Sequence, residues 1–187
     1  RDVTTLYSNP VAMKDVINLT KKYWKNKDIT SIAGIEARGF ITGSILADHL
    51  NLPFIPIRKK GKLPHNTISQ EYDLEYGKAT IEVHVDAINK NDNVLIVDDL
   101  IATGGTALAS IKLIKKLGAN IIGCTFIIDL PSLEGRKKIE AMGKMYNNID
   151  VSMRGHKEIK VLQKESFFKK NLEKFANIVY ETQKKSV

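Results

Sequence analysis

The sequence predicts an α/β domain in which helices flank a central, mainly parallel sheet and a flap covers one end of it. Three observations carry that reading. Short aliphatic strands alternate with amphipathic helices, an order that needs crossover connections and therefore parallel strands. The segment "NVLIVDD" is apolar on both faces, as a strand with helices above and below it must be. Residues 59 to 78, "KKGKLPHNTISQEYDLEYGK", carry few large aliphatics and have no obvious place in a core, and loops of this length are usually functional.

The elements follow in order. From Val11 to Trp24 the residues Val11, Met13, Val16, Ile17, Leu19, Tyr23 and Trp24 recur at three and four spacing, which predicts an amphipathic helix. "SIAGI" is a short buried strand, "GFITGSILADHL" a helix and "PFIPIR" a strand ending at Arg58. "TIEVHV" alternates and predicts a strand with Ile81, Val83 and Val85 on one face, paired with part of the preceding polar stretch as a two-stranded flap. After "NVLIVDD", a helix is expected from Gly105 to Leu117, closed by Gly118, then the strand "NIIGCTFIID" and a helix over "PSLEGRKKIEAM". In the last twenty residues Phe168, Leu172, Phe175, Ile178 and Val179 have the spacing of a further amphipathic helix.

Composition bounds the function. The 187 residues suit one principal domain, and 43% hydrophobic with 27% charged residues is ordinary for a globular protein. No apolar run approaches the ~18 residues of a membrane span, so no membrane partner is expected. Cys124 is the single cysteine and reads as a small buried hydrophobe; no disulfide can form within the chain, which fits a reducing cytoplasm. Lys plus Arg exceed Asp plus Glu by 29 to 21, a net charge of +8 that favours anionic partners, whether phosphorylated small molecules or nucleic acid. The histidines His49, His65, His84 and His156 show no metal-ligand spacing.

The chemistry concentrates in "VLIVDDLIATGGTA", residues 94 to 107. Adjacent glycines let backbone N–H groups turn around an oxyanion, the following helix offers its N-terminal donors, and Thr103 and Thr106 add hydroxyls. This is a phosphate cradle, though neither the Walker A pattern nor G-x-G-x-x-G occurs. Asp98 and Asp99 would repel a phosphate; they suit the hydroxyls of a ribose or a hydrated Mg²⁺. The stretch asks for a sugar phosphate. "GIEARG" and "IRKKGK" also end strands, and in a parallel sheet such ends converge on one crevice.

The stretch from Val94 to Ala107 resembles the phosphoribosyl pyrophosphate motif of the type I phosphoribosyltransferases. With "GIEARGF", "RKKGKLP" and "YDLEYGKA" the chain is similar to the adenine-specific branch of that family, from Arg1 to about Ile139. The resemblance implies the type I phosphoribosyltransferase fold and transfer of the 5-phosphoribosyl group from phosphoribosyl pyrophosphate to adenine, giving AMP and pyrophosphate, with Mg²⁺ as cofactor. It implies that Ala102, Thr103, Gly104, Gly105 and Thr106 hold the 5′-phosphate and that Asp98 and Asp99 hold the ribose hydroxyls, meeting the metal only through water or those hydroxyls. Arg38 would meet pyrophosphate from a tight loop with a cis peptide between Glu36 and Ala37. Lys62 and Arg58 would lie near the pyrophosphate, Arg58 reaching across a homodimer. Glu75 would be the catalytic acid beside the adenine ring, and Tyr76 its neighbour in the closing lid. Arg1, through backbone atoms, and Leu130 would contact the base.

The resemblance also implies a base-pocket segment ahead of Arg1. Residues 1–143 are expected to form the phosphoribosyltransferase domain, and 144–187 a basic extension, helical and packed on the same domain, with Lys157, Lys160, Lys164, Lys169, Lys170 and Lys174. Two alternatives stay open: a phosphoribosyltransferase for another purine, and a sensor of phosphoribosyl pyrophosphate that binds nucleic acid. "RKKGKLP" with "LEYG" favours adenine, and the absence of a base-reading motif in the sequence favours an enzyme without a nucleic-acid partner.

Overall fold

The computed structural model describes residues 3–74, 77–146 and 149–153. The chain divides into two compact units, Arg1–Arg154 and Gly155–Val187. The second lies outside the described residues, and with it the helix expected near the C-terminus.

A short helix α1 (Thr4–Tyr7) leads into α2 (Pro10–Trp24), which Asn9 caps by accepting the Ala12 N–H at 3.1 Å, with Pro10 in the first turn where its missing N–H costs nothing. Strand β1 (Ser31–Ile35) follows, then α3 (Arg38–Leu50), closed by Asn51 in the left-handed conformation at φ 55°. Next come β2 (Phe54–Lys59), β3 (Thr67–Asp73), β4 (Lys78–His84), β5 (Asn93–Ile101) and α4 (Gly105–Lys116). Strand β6 (Asn120–Asp129), a 3₁₀ turn (Pro131–Leu133), α5 (Gly135–Met145) and β7 (Asp150–Met153) complete the described chain.

The described strands form a seven-stranded sheet in the order β3-β4-β2-β1-β5-β6-β7. Strands β2, β1, β5, β6 and β7 are parallel, whereas β4 pairs antiparallel with β2 and β3 antiparallel with β4. Strand β7 lies beyond residue 143 and belongs to this sheet. Alternation explains the layers: Ile96 of β5 packs with Ile111, Leu113 and Ile114 of α4, while Leu95 and Val97 point the other way to Trp24 and Leu46 of α2 and α3. Each such buried aliphatic stabilises the fold by roughly 1.5–3 kcal/mol. Trp24 packs against β6 at Gly123, where a Cβ would come within 2.3 Å of the indole ring; no other residue fits there.

Three expectations are corrected. Val11 is 63% exposed, because the buried stripe of α2 runs through Met13, Val16, Ile17, Thr20 and Trp24 and leaves the first turn outside it. Val85 is exposed, since β4 ends at His84, where the chain turns. Glu82 of β4 is buried, and its carboxylate accepts from the Lys62 and Leu63 N–H groups and from the Thr67 hydroxyl, at 3.0, 3.1 and 3.3 Å. The helix expected from Pro131 is divided at Glu134, whose φ of 56° no helix continues through. The antiparallel partner expected for "TIEVHV" is β3, and the hairpin they form is hydrogen-bonded into the main sheet through Arg58 and Lys59 of β2.

Candidate active site

Strand β5 stays extended past its buried centre as far as Ile101, so Asp98 and Asp99 lie within it toward its carboxyl end, where β6 still pairs with it. Asp98 Oδ1 turns back to accept the Asp99 N–H at 2.8 Å, and Asp99 is buried, 4% exposed. Burial first, and the neighbouring Asp99 charge second, push the Asp98 carboxyl well above the usual carboxylate range. Both acids line one cleft of about 410 Å³ together with Ala102, Thr103, Gly104, Gly105 and Thr106.

The glycine turn is built by close backbone approach. Gly104 takes φ 80° as the N-cap of α4, a left-handed conformation that favours glycine. Gly135, at the start of α5, donates its N–H to Ala102 O at 3.1 Å. A Cβ on Gly135 would stand 2.3 Å from that carbonyl oxygen and 2.6 Å from Gly104 N, so α5 seats itself directly on the turn. Lys138 Nζ donates to Thr103 O at 3.3 Å from the same helix. The first N–H groups of α4 have no intrahelical acceptor and lie where the helix dipole favours an anion. From the opposite side the hairpin brings Tyr72 to the turn, its hydroxyl 3.4 Å from Thr106 Oγ1.

The loop between β1 and α3 forms the facing wall. Its Glu36–Ala37 peptide is cis, as the resemblance implied. Arg38 Nε stands 2.6 Å from Asp99 Oδ2, and Gly39 lets α3 approach β5 so closely that a Cβ would lie 2.7 Å from Val97 O. Glu36 gathers Lys59 N–H at 3.0 Å, Lys62 Nζ at 3.0 Å and Arg58 Nε at 3.4 Å. Burial alone would raise its carboxyl, but the Lys59 N–H and the two cations bring it down to about 2. Arg58 also donates from Nη1 to Lys62 O at 3.0 Å. Tyr7 reaches this wall from α1 and donates to Arg38 O at 3.3 Å; burial and the charges of Asp99 and Asp98 push its hydroxyl up to about 12.

The structure thus brings Asp98, Asp99, Arg38 and residues 102–106 into one cleft. Arg58 and Lys62 stand at its edge on Glu36, without forming its wall. Leu130 is half-buried just past β6, its N–H on Ile101 O at 3.0 Å, and does not line the cleft. Arg1, Glu75 and Tyr76 lie outside the described residues. Sequence reasoning did not single out the side chains of Glu36, Lys59, Tyr72 and Phe126, all of which line the cleft. Lys59, as the last residue of β2 in "RKKGK", carried a positional signal; Tyr72 carried none until the β3–β4 register was known.

Comparison with known proteins agrees with this geometry. The model of the phosphoribosyl transferase domain family matches residues 2–156. An adenine phosphoribosyltransferase of Maricaulis maris is 55% identical over 143 residues, covering 76% of this chain and 82% of that protein. Among solved structures, the adenine phosphoribosyltransferase of Rhodothermus marinus superposes with a TM-score of 0.75 at 45% identity, covering 81% of this chain and 83% of that one. The Saccharomyces cerevisiae enzyme, solved in complex with an imino-altritol bisphosphate and adenine, does so with a TM-score of 0.71 at 36% identity, covering 81% and 84%. With two acids and a glycine turn sharing one cleft on this fold, the chain belongs to the phosphoribosyltransferase family and, within it, to the adenine phosphoribosyltransferases.

Proposed function

We infer that the chain transfers the 5-phosphoribosyl group of phosphoribosyl pyrophosphate to adenine, releasing AMP and pyrophosphate. The observation that carries this is the sharing of one cleft by Asp98, Asp99 and the turn at Gly104. The acids want hydroxyl donors and the turn wants an anion, and a ribose phosphate supplies both. Burial and the Asp99 charge hold Asp98 above the ordinary carboxylate range, and the hydroxyls of a pentose diol would donate to its ionised form.

In this reading the 5′-phosphate lies on Ala102–Thr106, the diol on Asp98 and Asp99, and the pyrophosphate toward Arg38, with Lys62 and Arg58 beyond it. As the bond from the anomeric carbon to pyrophosphate oxygen breaks and the bond to an adenine nitrogen forms, negative charge grows on the leaving group. The cations of this wall stabilise it more in the transition state than in the ground state. Glu75 steers the attacking ring, and the hairpin bearing it and Tyr76 closes over the sugar to keep water from an oxocarbenium-like centre. Leu130 and the backbone of Arg1 serve the base.

The residues suit Mg²⁺ held indirectly. Among the described residues no group of three His, Cys, Asp or Glu side chains could cage a metal, while Asp98 and Asp99 both line the open cleft, Asp99 Oδ2 paired with Arg38 Nε at 2.6 Å. Such a donor set leaves a hard cation to substrate oxygens and water, with Asp98 and Asp99 as its outer partners. Bound there, Mg²⁺ would neutralise the pyrophosphate oxygens. No described helix is long and apolar enough to cross a membrane, and a cytoplasmic homodimer acting on small molecules is the setting this reading implies.

The deciding experiment offers adenine, hypoxanthine, guanine and uracil separately and measures pyrophosphate release. Release with adenine alone is expected; preference for another base would move the chain to that specificity, and no release with any would remove the enzyme reading. Glu75→Gln is expected to lower turnover by about 10²–10⁴-fold, the range of positioned acid–base groups, with phosphoribosyl pyrophosphate binding little changed. Equal turnover in that variant would take Glu75 out of the chemistry.

A further inference from the structure

The feature the transfer chemistry does not explain is an anion on the wall where an anion must bind. Glu36 lines the cleft, its side chain is only 11% exposed, and it holds two of the cations that the pyrophosphate would use, Lys62 at 3.0 Å and Arg58 at 3.4 Å. It does not hang loosely on them. The Lys59 N–H fixes Oε2 at 3.0 Å, so the carboxylate stays in place when a cation leaves it. Arg58 and Lys62 are tied to each other as well, through Nη1 and a backbone carbonyl at 3.0 Å, and Glu82 pins the turn that carries Lys62 by accepting its N–H.

We propose that Glu36 is a resident counter-anion that competes with pyrophosphate for Lys62 and Arg58, weakening pyrophosphate binding so that the product leaves. The inference rests on the placement of those cations at the pyrophosphate, argued above. The physics is one of exchange. Each cation drawn to a pyrophosphate oxygen is withdrawn from a mostly buried carboxylate, and the uncompensated charge sets a cost against binding. Pyrophosphate also feels the fixed negative charge directly, in a partly dry cleft where such repulsion is stronger than in water. Cations held ready at the rim keep their geometry between turnovers, so Glu36 positions them even as it opposes the ligand. Uniformly tight binding of the pyrophosphate group would lower KM without raising kcat; a tempering anion restores the difference between ground and transition state.

The test is calorimetric titration of the full chain with inorganic pyrophosphate in the presence of Mg²⁺, using the wild type, Glu36→Gln, Lys62→Met and the double variant. Glu36→Gln keeps the shape and removes the charge. It is expected to bind pyrophosphate about tenfold more tightly, equivalent to ~1.4 kcal/mol, and to show a lower KM for phosphoribosyl pyrophosphate together with a lower kcat as release slows. Lys62→Met is expected to bind more weakly, and in its background Glu36→Gln should have a smaller effect. A damaged loop would lose affinity rather than gain it, so tightening separates this role from a structural one; Glu36→Ala serves the same purpose should Glu36→Gln fold poorly. Unchanged or weaker binding in the charge-removed variants, with Lys62→Met weakened, overturns the counter-anion and leaves the placement of Lys62 standing. Equal binding by wild type and Lys62→Met overturns that placement and this inference with it.

Discussion

Asp98 sets function against stability within a single side chain. Its carboxyl is raised by burial and by Asp99, so the ionised form is penalised in the folded state relative to the unfolded one. A group with a raised folded value contributes its full stability below the unfolded value and loses it as pH rises through the folded one. Near neutral pH, in protein freed of divalent cations, Asp98 should therefore burden the fold. Asp98→Asn keeps an oxygen for the Asp99 N–H and removes the charge. It is expected to stabilise by about 0.5–2 kcal/mol while sharply reducing turnover, as substitutions at strained sites do. Thermal denaturation of both proteins between pH 5 and 8 checks this: the gain should widen as pH rises, and a destabilised variant would contradict the assignment. Cys124 makes the opposite case of a residue with no business at the surface. It is fully buried in β6, and burial pushes its thiol up to about 12. Thiol reagents at pH 8 should leave the native protein unlabelled and modify one group per chain after denaturation. At this scale the resemblance named most of the cleft's residues, because motifs fix residue type and local order; it could not show that Glu36 already occupies the cations.

At the scale of elements, α5 and the β3–β4 hairpin converge on the glycine turn from different sides. Helix α5 begins at a glycine because its backbone must lie against Ala102 and Gly104. Gly135→Ala places a methyl where backbone atoms stand at 2.3 and 2.6 Å, and backbone cannot swing aside as a side chain can. The turn must shift. We expect KM for phosphoribosyl pyrophosphate to rise about tenfold or more, with a stability loss of ~1–3 kcal/mol typical of overpacking, measured by initial rates and thermal melting. A variant with normal KM would show that α5 does not shape the turn. The division of the helix at Glu134 belongs to this scale too: residues 131–142 carry helical spacing throughout, yet the chain needs a left-handed residue there to bring Gly135 onto the turn. Periodicity could not reveal this, since it records which face is apolar and not where the axis must break.

For the molecule as a whole, stability rests on two apolar layers that meet through the sheet. Trp24, the only tryptophan, joins α2 to β6 over Gly123 and is 1% exposed. Trp24→Ala should cost about 3–5 kcal/mol, a large share of the ~5–15 kcal/mol typical of a domain. Urea unfolding followed by far-ultraviolet circular dichroism measures it, and a cost under ~1 kcal/mol would mean that this layer can do without the indole.

The order of strands and helices and the identity of the phosphate turn were legible because both are local. Burial on two faces writes aliphatic runs into β1 and β5, and a turn around an oxyanion writes Gly104 and Gly105. By itself, then, the sequence determined the α/β class, the strands that end in chemistry, and the paired acids beside a glycine turn. Only the tertiary structure decided that Lys59, Tyr72 and Phe126 line the same cleft as Asp98, that Glu82 is buried under the turn carrying Lys62, and that Arg58 and Lys62 rest on Glu36. Those facts depend on the register between segments far apart in the chain, and a shift of one residue in that register would turn the strand residues among them, Arg58, Lys59, Tyr72, Glu82 and Phe126, to the opposite face.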